Sequence, residues 1–480
     1  MSRPNILFAI ADDASHFGAY GHRFVNTPNF DRVARDGVLF HNMFTTNPKC
    51  APSRASILTG MHTWQLKEAS VHQPYFPGPE VFTVYPDTLE AAGYCVGYTG
   101  KGWGPGNFKQ RGRTRNPAGP EFNNHKLAPP AETRVSPKDY TENFREFLTT
   151  RSDDQPFCFW YGGHEPHRDY EFGEGLRNGK RQEELGEIPP YWPDEELVRT
   201  DMLDYAWETE WFDMHLGQML TILEETGELN NTLVIVTSDN GCPFPRVKGQ
   251  MYDDDFRLPF AAMWAGRITG GRQVQDITSF IDLLPTHYEL AGVPIPDELP
   301  GRSLTDILFA ETNGVVNPER TRAFMGKERH DVGRENDAGY PVRCIRTPQH
   351  LYVRNFEPDR WPAGNPETGF MNVDNSPTKS RILELHEQGT DFYFNESFGK
   401  RPLEQLFDVV KDPYCMTNLA DDEEHQALKA ALWDELQEAL RQTGDPRIEG
   451  NGDIFDTYEY IPNAPHSWKN YLKRMAGAPR

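Results

Sequence analysis

Residues 5–13 read NILFAIADD, a short apolar run that ends in two aspartates. Three further runs have the same character: Tyr94–Thr99 (YCVGYT), Pro156–Gly162 (PFCFWYG) and Thr232–Thr237 (TLVIVT). Short, continuous apolar runs predict buried strands. Helical patterns lie between them, at Asn29–Asp36, Ser53–Leu58, Pro86–Ala92, Tyr140–Thr149 and Asp201–Thr226. Strands that alternate with helices predict an α/β fold, with a large, mostly parallel sheet covered by helices on both faces.

The pattern changes after about Tyr340. Strand-like pieces (VRCIRT, HLYVRNF, LEQLFDVV) precede a helix whose apolar face carries Leu428, Leu432, Leu436 and Leu440. We therefore predict an α/β domain at 1–340 and a smaller α+β domain with an antiparallel sheet at 341–480. The segments 104–137 and 169–193 are rich in Pro, Gly and charge, which predicts long surface loops.

Charge and composition exclude several classes of protein. The 49 Lys and Arg against 72 Asp and Glu leave a net charge of −23, which argues against a nucleic-acid partner. The apolar run at 6–11 is too short for a membrane span. We expect a cytoplasmic protein if Met1 is the native start, and a periplasmic or secreted one if a leader was removed. The sequence predicts no oligomeric state.

Polar residues follow each of the four predicted strands. They are Asp12 and Asp13, then Gly100 and Lys101, then His164 to His167, then Asp239 and Asn240. Because ligands of open α/β sheets bind at the carboxyl ends of the strands, we expect these groups to gather at one edge. Asp12, Asp13, Asp239 and Asn240 offer oxygen ligands, which suit Ca²⁺ or Mg²⁺ better than zinc. The alternative is that they form separate turns and helix caps.

The stretch KCAPSRASILTG, residues 49–60, separates Cys50 from Arg54 by three residues. Pro52 suits the first turn of a helix, so Cys50 would lie just before a helix N-terminus, where anions are favoured. One interpretation is a thiolate nucleophile beside an arginine. Phosphotyrosine-type phosphatases, however, separate the two residues by more positions. A thiol is also a poor ligand for a hard cation, so the pattern favours an oxygen-bearing residue made from Cys50.

The motif from Cys50 to Arg54, followed by Leu58-Thr59-Gly60, resembles the signature of the formylglycine-dependent (type I) sulfatases, a family within the alkaline phosphatase superfamily. The resemblance extends over nearly the whole chain. It includes RPNILFAIADD, the TGK at 99–101, the GGHEPH at 162–167, the VTSDNG at 236–241 and LFDVVKDPYCMTNLADD at 406–422.

This resemblance implies a set of roles. A formylglycine-generating maturation enzyme would oxidise Cys50 to formylglycine (3-oxoalanine), which hydrates to a geminal diol. Asp12, Asp13, Asp239, Asn240 and the modified Cys50 would hold one cation per chain, Ca²⁺ in preference to Mg²⁺. Arg54 and Lys101 would neutralise the diol and the sulfate, His164 and Lys248 would contact the sulfate, and one of these two or a nearby histidine would protonate the leaving group.

The implied mechanism is covalent. One diol hydroxyl attacks sulfur and the alcohol or amine leaves; the second hydroxyl then loses its proton and expels sulfate. A serine or cysteine lacks the second hydroxyl and would trap the sulfated enzyme.

The chain departs from the family pattern at Trp103, where many sulfatases have a histidine two residues after the lysine of the GK motif. His164 is our first choice for the leaving-group acid, with His167, His72 and His125 as alternatives. Trp103 would either stack on a sugar face or pack beneath a loop.

Within the family, the chain resembles the heparan N-sulfatases (sulfamidases) at 53–60, 164–168, 238–245 and 301–304, with Lys248 at a position where those enzymes have arginine. This implies a sulfated carbohydrate substrate and, less strongly, an N-sulfate. Glu328, Arg329 and His330 would hold sugar hydroxyls or a uronate, or form a salt-bridge cluster. A basic loop with Lys109, Arg111, Arg113, Arg115 and Lys126 would guide a polyanionic glycan, or would be an ordinary solvated loop.

Two other interpretations remain open at this level. One is a phosphonate or phosphate monoester hydrolase of the same superfamily. The other is a non-catalytic protein that binds sulfated glycans and whose Cys50 is never oxidised.

Overall fold

A large mixed sheet forms the centre of the molecule. The computed structural model describes residues 3–152, 154–330, 334–461 and 467–477. The strands of this sheet are β1 (Asn5–Ala11), β2 (Val38–Phe44), β3 (Cys95–Gly100), β4 (Phe157–Gly162), β5 (Thr232–Ser238), β6 (Arg257–Met263), β7 (Arg272–Val274) and β8 (Thr278–Ser279). The strand order is β3-β4-β1-β5-β6-β2-β7, and β8 pairs with β2. Only β6 runs antiparallel to its neighbours among these strands. The predicted mostly parallel sheet is confirmed.

The helices of the described residues are α1 (Pro28–Asp36), α2 (Cys50–Thr59), α3 (Tyr85–Ala91), α4 (Tyr140–Thr149), α5 (Glu174–Arg177), α6 (Glu196–Glu225), α7 (Asp253–Phe256), α8 (Leu283–Ala291), α9 (Thr305–Leu308), α10 (Pro377–Glu387), α11 (Phe392–Ser397), α12 (Gln426–Gln442), α13 (Ile454–Thr457) and α14 (Trp468–Met475). Of these, α1, α2, α3, α4, α6 and α8 cover the two faces of this sheet. No helix in the described ranges has both the length and the apolarity needed to cross a bilayer.

The central strand β1 shows why the apolar runs are continuous. Ile6, Phe8 and Ile10 pack with α2, α3 and α8 on one face, whereas Leu7 and Ala9 pack with α1, α4 and α6 on the other. Because successive side chains of a strand point to opposite faces, a strand covered on both sides must be apolar at every position.

A second, antiparallel sheet contains β9 (Ala323–Lys327), β10 (Val342–Arg346), β11 (His350–Asn355) and β12 (Glu404–Asp408), in the order β12-β11-β10-β9. Leu432, Leu436 and Leu440 of α12 are buried against it, as their spacing predicts. The sheet also takes in β9, which lies before the boundary that we placed at residue 340.

Candidate active site

Four neighbouring strands carry their polar ends to one edge of the large sheet. Because β3, β4, β1 and β5 are adjacent and parallel, the residues that follow them meet there. The backbone N–H of Asp13 donates to Asp239 Oδ1 over 3.1 Å, and Asn240 Nδ2 donates to Asp13 Oδ1 over 2.8 Å. The structure therefore brings together the side chains for which we predicted a shared role.

Cys50 reaches the same edge through β2. This strand and β5 are both antiparallel to β6, so β2 runs in the direction of β5 and ends beside it. Five residues separate β2 from α2, which begins at Cys50, three positions before the predicted helical pattern at Ser53–Leu58. Cys50 is buried, and its Sγ lies 3.9 Å from Asp13 Oδ1.

The oxygen donors at this edge fit a hard divalent cation. Ligand atoms of Asp12, Asp13 and Cys50 all lie within 4.8 Å of one another. Asp12 Oδ1 and Asn240 Oδ1 are buried and have no hydrogen-bond partner among the described residues. Buried acceptors without a donor are costly unless another ligand satisfies them. Burial, reinforced by the nearby Asp12 carboxylate, also raises the pKa of Asp239 to about 7, and a bound cation would relieve this crowding of carboxylates.

Two cations of the predicted set, the buried Arg54 and the half-buried Lys101, lie beside these carboxylates. Arg54 Nε donates to Asp239 Oδ2 over 2.7 Å, and its Nη1 donates to the carbonyls of Lys101 and Gly102 over 2.8 and 3.1 Å. Lys101 Nζ donates to Asp12 Oδ2 over 2.6 Å. Burial alone would lower the pKa of Lys101, but the Asp12 carboxylate raises it above its usual value, so the side chain stays charged.

Lys248 links the site to a residue that the sequence analysis missed. Its Nζ lies 2.6 Å from Asp13 Oδ2 and 2.7 Å from Asp374 Oδ2. Although burial opposes it, the Lys248 charge holds the pKa of Asp374 well below its usual range. Asp374 precedes α10 and follows no strand, so no sequence signal marked it. The C-terminal part of the chain thus contributes directly to the site.

The environment of Cys50 does not favour a thiolate. Burial raises the pKa of the Cys50 thiol well above its usual value, despite the nearby Lys101. A thiol that stays protonated at neutral pH is a weak nucleophile. Of the two interpretations drawn from the sequence, the oxygen-bearing residue fits this environment better.

The four candidate histidines have different surroundings. His164, His167 and His72 line a shared cavity, whereas His125 is exposed and lies 3.4 Å from Glu146 outside it. His164 Nε2 is buried without a hydrogen-bond partner in the described part of the chain, and burial lowers the pKa of His164 to about 3. His167 Nε2 lies 3.9 Å from Asp13 Oδ2.

That cavity has a volume of about 820 Å³ and opens over the strand ends. Predicted site residues among its lining are Asp12, Lys101, His164, His167 and Lys248. The sequence analysis assigned no role to several others, which are Lys49, Gln73, Arg134, Lys138, Glu208 and Asp374. They come from loops and helices that follow no motif, so only the fold places them together.

Trp103 does not lie in this cavity. It is only 3% exposed, packs edge-on against Phe76 with ring centroids 4.8 Å apart, and donates from its Nε1 to the Ala51 carbonyl over 3.0 Å. The sugar-stacking interpretation is therefore corrected: Trp103 is a packing residue whose indole N–H binds the first turn of α2.

We expect Trp103→Phe to lower the free energy of unfolding by about 1–3 kcal/mol, because it removes the buried hydrogen bond from the indole to the Ala51 carbonyl and removes packed volume. The KM for a small sulfate ester should stay within about twofold. Denaturant unfolding and steady-state kinetics measure the two effects. A large rise in KM with unchanged stability would instead place the indole against substrate.

Glu328, Arg329 and His330 also lie outside the cavity lining. Glu328 is fully buried between Arg343 and Arg447, at 2.7 Å from each. Arg329 donates to the carbonyls of Asp456 and Tyr458, and His330 Nε2 lies 2.8 Å from Asn47 Oδ1. The predicted sugar-binding role is therefore corrected. The salt-bridge alternative is correct for Glu328. The cluster of Glu328, Arg343 and Arg447 is buried, and it links the end of β9 and β10 to the C-terminal segment.

The fold and the site define a class: α/β proteins in which buried carboxylates and cations gather at the carboxyl ends of parallel strands, an arrangement able to hold a metal ion and an anionic group. A family model described as Sulfatase matches residues 4–293, which is more than half of the chain. The chain belongs to the sulfatase family and is a hydrolase that acts on sulfate esters.

Individual relatives span most of the chain. It is 29% identical to the human N-sulphoglucosamine sulphohydrolase, over 93% of this chain and 92% of that protein. A protein solved in complex with its substrate D-glucosamine-2-N,6-O-disulfate has 20% identity and a TM-score of 0.66, covering 92% of this chain and 98% of that one. A phosphonate monoester hydrolase from Silicibacter pomeroyi has 18% identity and a TM-score of 0.63, covering 92% and 96%. The two structural likenesses show the fold alone.

Proposed function

We propose that the protein removes sulfate from a sulfated carbohydrate, that its nucleophile is a formylglycine made from Cys50, and that N-sulfated glucosamine is the favoured substrate. One observation carries the proposal. The Cys50 Sγ lies 3.9 Å from Asp13 Oδ1, and four segments, which are α2 and the ends of β1, β3 and β5, bring Arg54, Asp12, Lys101, Asp239 and Asn240 to the same edge. The N-sulfate preference is supported by the 29% identical human relative, which matches this chain over nearly its full length.

Asp12, Asp13, Asp239, Asn240 and an oxygen of the modified Cys50 would hold the cation, and we propose Ca²⁺ rather than Mg²⁺. When bound, the cation supplies positive charge to the sulfate oxygens and to the nucleophile.

The fixed cations of the chain hold the sulfate charge during transfer. A sulfate ester spreads one negative charge over three oxygens, so prearranged cations stabilise it at little reorganisation cost. Arg54 is held by two backbone carbonyls and Asp239, and its Nη2 has no hydrogen-bond partner among the described residues. Lys101 and Lys248 reach the cavity from two further directions.

His164 would donate a proton to the leaving group from its protonated form, which burial disfavours and the nearby Asp12 carboxylate favours. Its Nε2 is the buried atom without a partner, and its backbone N–H is fixed by a hydrogen bond to Tyr140 Oη over 3.1 Å. His167 and His72 share the cavity and are the alternatives.

The proposal includes a maturation enzyme as a partner. Because Cys50 is 1% exposed in the folded chain, conversion would need to occur before folding is complete. The protein should therefore be produced together with a formylglycine-generating enzyme, and the aldehyde content of the Cys50 peptide should be determined by mass spectrometry.

With aldehyde content established, we expect sulfate release from N-sulfoglucosamine to exceed release from glucosamine 6-O-sulfate and from an aryl sulfate by about tenfold or more in kcat/KM. The physical reason is that a cavity that fits the sugar with its 2-amino group at the leaving position would make contacts that an aryl ester lacks, and would misplace a sulfate carried on O6. Ion chromatography of released sulfate measures this across a panel of sulfated mono- and disaccharides.

An aryl phosphonate belongs in the same panel. Faster turnover of the phosphonate than of any sulfate would replace the proposed reaction with phosphonate monoester hydrolysis. If Cys50 stayed unoxidised in the presence of the maturation enzyme, and the protein bound sulfated saccharides without turnover, the non-catalytic interpretation would stand. A preference for an O-sulfated sugar would keep the carbohydrate sulfatase proposal and overturn only its N-sulfate part.

A further inference from the structure

The basic loop singled out in the sequence divides into two groups in the structure. Arg111, Arg113 and Arg115 form ion pairs with acidic residues away from the site: Glu68 at 2.9 Å, Asp87 at 3.2 Å, and Asp87 and Glu90 at 2.8 and 2.7 Å, respectively. These arginines therefore serve local structure. Lys126 behaves differently, because it lines the active-site cavity together with Lys138.

Lys126 and Lys138 are paired across a short antiparallel bridge. The Leu127 N–H donates to the Pro137 carbonyl over 2.9 Å, and the Asp139 N–H donates to the His125 carbonyl over 3.1 Å. These two bonds flank the lysines, so the pair is of the non-hydrogen-bonded type, in which side chains approach each other most closely.

Two like charges directly opposite each other destabilise a strand pair. In the described parts of the chain, neither lysine ammonium has a carboxylate within 4.0 Å, in contrast to the three arginines. Both side chains instead lie at the wall of the cavity. An anion held between them would remove the repulsion.

The bridge is fixed in position relative to the catalytic residues. The Ser136 N–H donates to Glu165 Oε1 over 2.7 Å, and Glu165 directly follows His164 at the end of β4. The Arg134 N–H donates to Glu174 Oε2 over 3.0 Å. The two lysines are therefore held by the scaffold near the place where the leaving group would lie.

Five carboxyl groups share the cavity, and most carry little free negative charge. Asp12 is paired with Lys101, and Asp374 is paired with Lys248. The Glu165 carboxylate accepts hydrogen bonds from the Ser136 N–H and the Tyr140 hydroxyl, and burial raises the pKa of Glu208 well above its usual value. Asp169 is exposed on the rim. The wall that carries Lys126 and Lys138 thus favours an anion.

We propose that Lys126 and Lys138 bind a second anionic group of the substrate, on the sugar next to the one that loses sulfate. The second group is a carboxylate or a further sulfate, and the cavity of about 820 Å³ has room for more than one sugar ring. This inference rests on the proposed function. It specifies a charged oligosaccharide, rather than an isolated monosaccharide, as the preferred substrate.

The test compares wild-type enzyme with the double variant Lys126→Ala/Lys138→Ala on four substrates. The first is an aryl sulfate. The second is a disaccharide in which the sulfated sugar preferred in the panel is linked to a uronic acid, and the third is the same disaccharide with the uronate reduced to an alcohol. In the fourth, the neighbouring sugar has no carboxylate and carries a sulfate instead. Lys109→Ala is the matched control, because Lys109 is exposed on the same loop and lies outside the cavity lining.

We expect the double variant to raise KM about tenfold for a disaccharide with a second anion, because two charge-assisted contacts are lost. Its kcat and its activity on the aryl sulfate and the reduced disaccharide should stay within about twofold of wild type. Lys126→Arg/Lys138→Arg should retain most of the affinity. Whichever anionic disaccharide shows the larger change identifies the second group as carboxylate or sulfate.

If the double variant changed KM equally for charged and neutral disaccharides, or did not change KM at all, this inference would be overturned. The proposed function would remain intact as long as the wild-type enzyme releases sulfate. Calorimetric binding of the same disaccharides to Cys50→Ala, with and without the lysine substitutions, gives a second readout without turnover. Failure of aldehyde-containing wild-type enzyme to release sulfate from any substrate would instead count against the proposed function.

Discussion

Substituting Cys50→Ala is expected to lower kcat/KM for any sulfated substrate by about 10⁴-fold or more, since it removes the nucleophile. The fold should persist, because Cys50 is a small residue at the start of α2 and its Sγ makes only a weak contact with Asp13. Sulfate release measures the first effect, and the midpoint of denaturant unfolding measures the second.

Cys50→Ser separates nucleophilic attack from turnover. A serine has one hydroxyl, so a first sulfate transfer would have no second hydroxyl with which to expel sulfate. We expect slow accumulation of a sulfated protein, visible in the intact mass, and no steady-state turnover. Sustained turnover by either variant at the wild-type rate would show that residue 50 is not the nucleophile. Cys242→Ala is a control for losing a buried thiol elsewhere, since Cys242 follows the Asp239-Asn240 pair without lining the cavity.

Asp239→Asn is expected to lower activity about 10²- to 10³-fold, because it removes one carboxylate from the proposed metal site and the anion that holds Arg54 Nε at 2.7 Å. Added Ca²⁺ should restore part of the activity if weaker metal binding causes the loss. Metal content by mass spectrometry, and activity across a Ca²⁺ titration after chelation, measure both effects.

The matched control is Asp213→Asn, another buried aspartate whose carboxylate accepts hydrogen bonds from the N–H groups of Asn29 and Phe30 on α1. This substitution should affect stability without changing the Ca²⁺ dependence of activity. If chelated wild-type enzyme kept full activity, or if Asp239→Asn bound Ca²⁺ as tightly as wild type, the metal role of Asp239 would be wrong.

The elements that the sequence predicted best are those whose own residues decide their structure. The run NILFAIA forms β1 over Asn5–Ala11, and Tyr140–Thr149 forms α4 with the predicted bounds. A continuous apolar run and a 3.6-residue apolar period each indicate burial from local sequence alone. Such strands and helices can therefore be recognised without knowing which element they pack against.

Two strands of the same sheet carried a weaker signal. The strand β2 contains His41 and Asn42, and its pairing with β6 is shifted between Phe40 and Met43. The strand β6 contains Pro259, a residue that argues against a strand interior. Their place in the sheet depends on pairing with each other, which a single stretch of sequence does not reveal.

The sequence by itself determined which candidate site residues stand at strand ends or in the Cys50–Arg54 motif and so meet at one edge, because a parallel sheet carries all such ends to the same side. Only the tertiary structure decided what became of the isolated charged and aromatic residues. Trp103 packs in the core, and Glu328 lies in a buried ion cluster. Asp374 forms an ion pair with Lys248, and Lys126 lies opposite Lys138 across a strand pair. The physical reason is that a side chain on a long loop takes its role from partners that are distant in the chain, and those partners are set only when the whole domain packs.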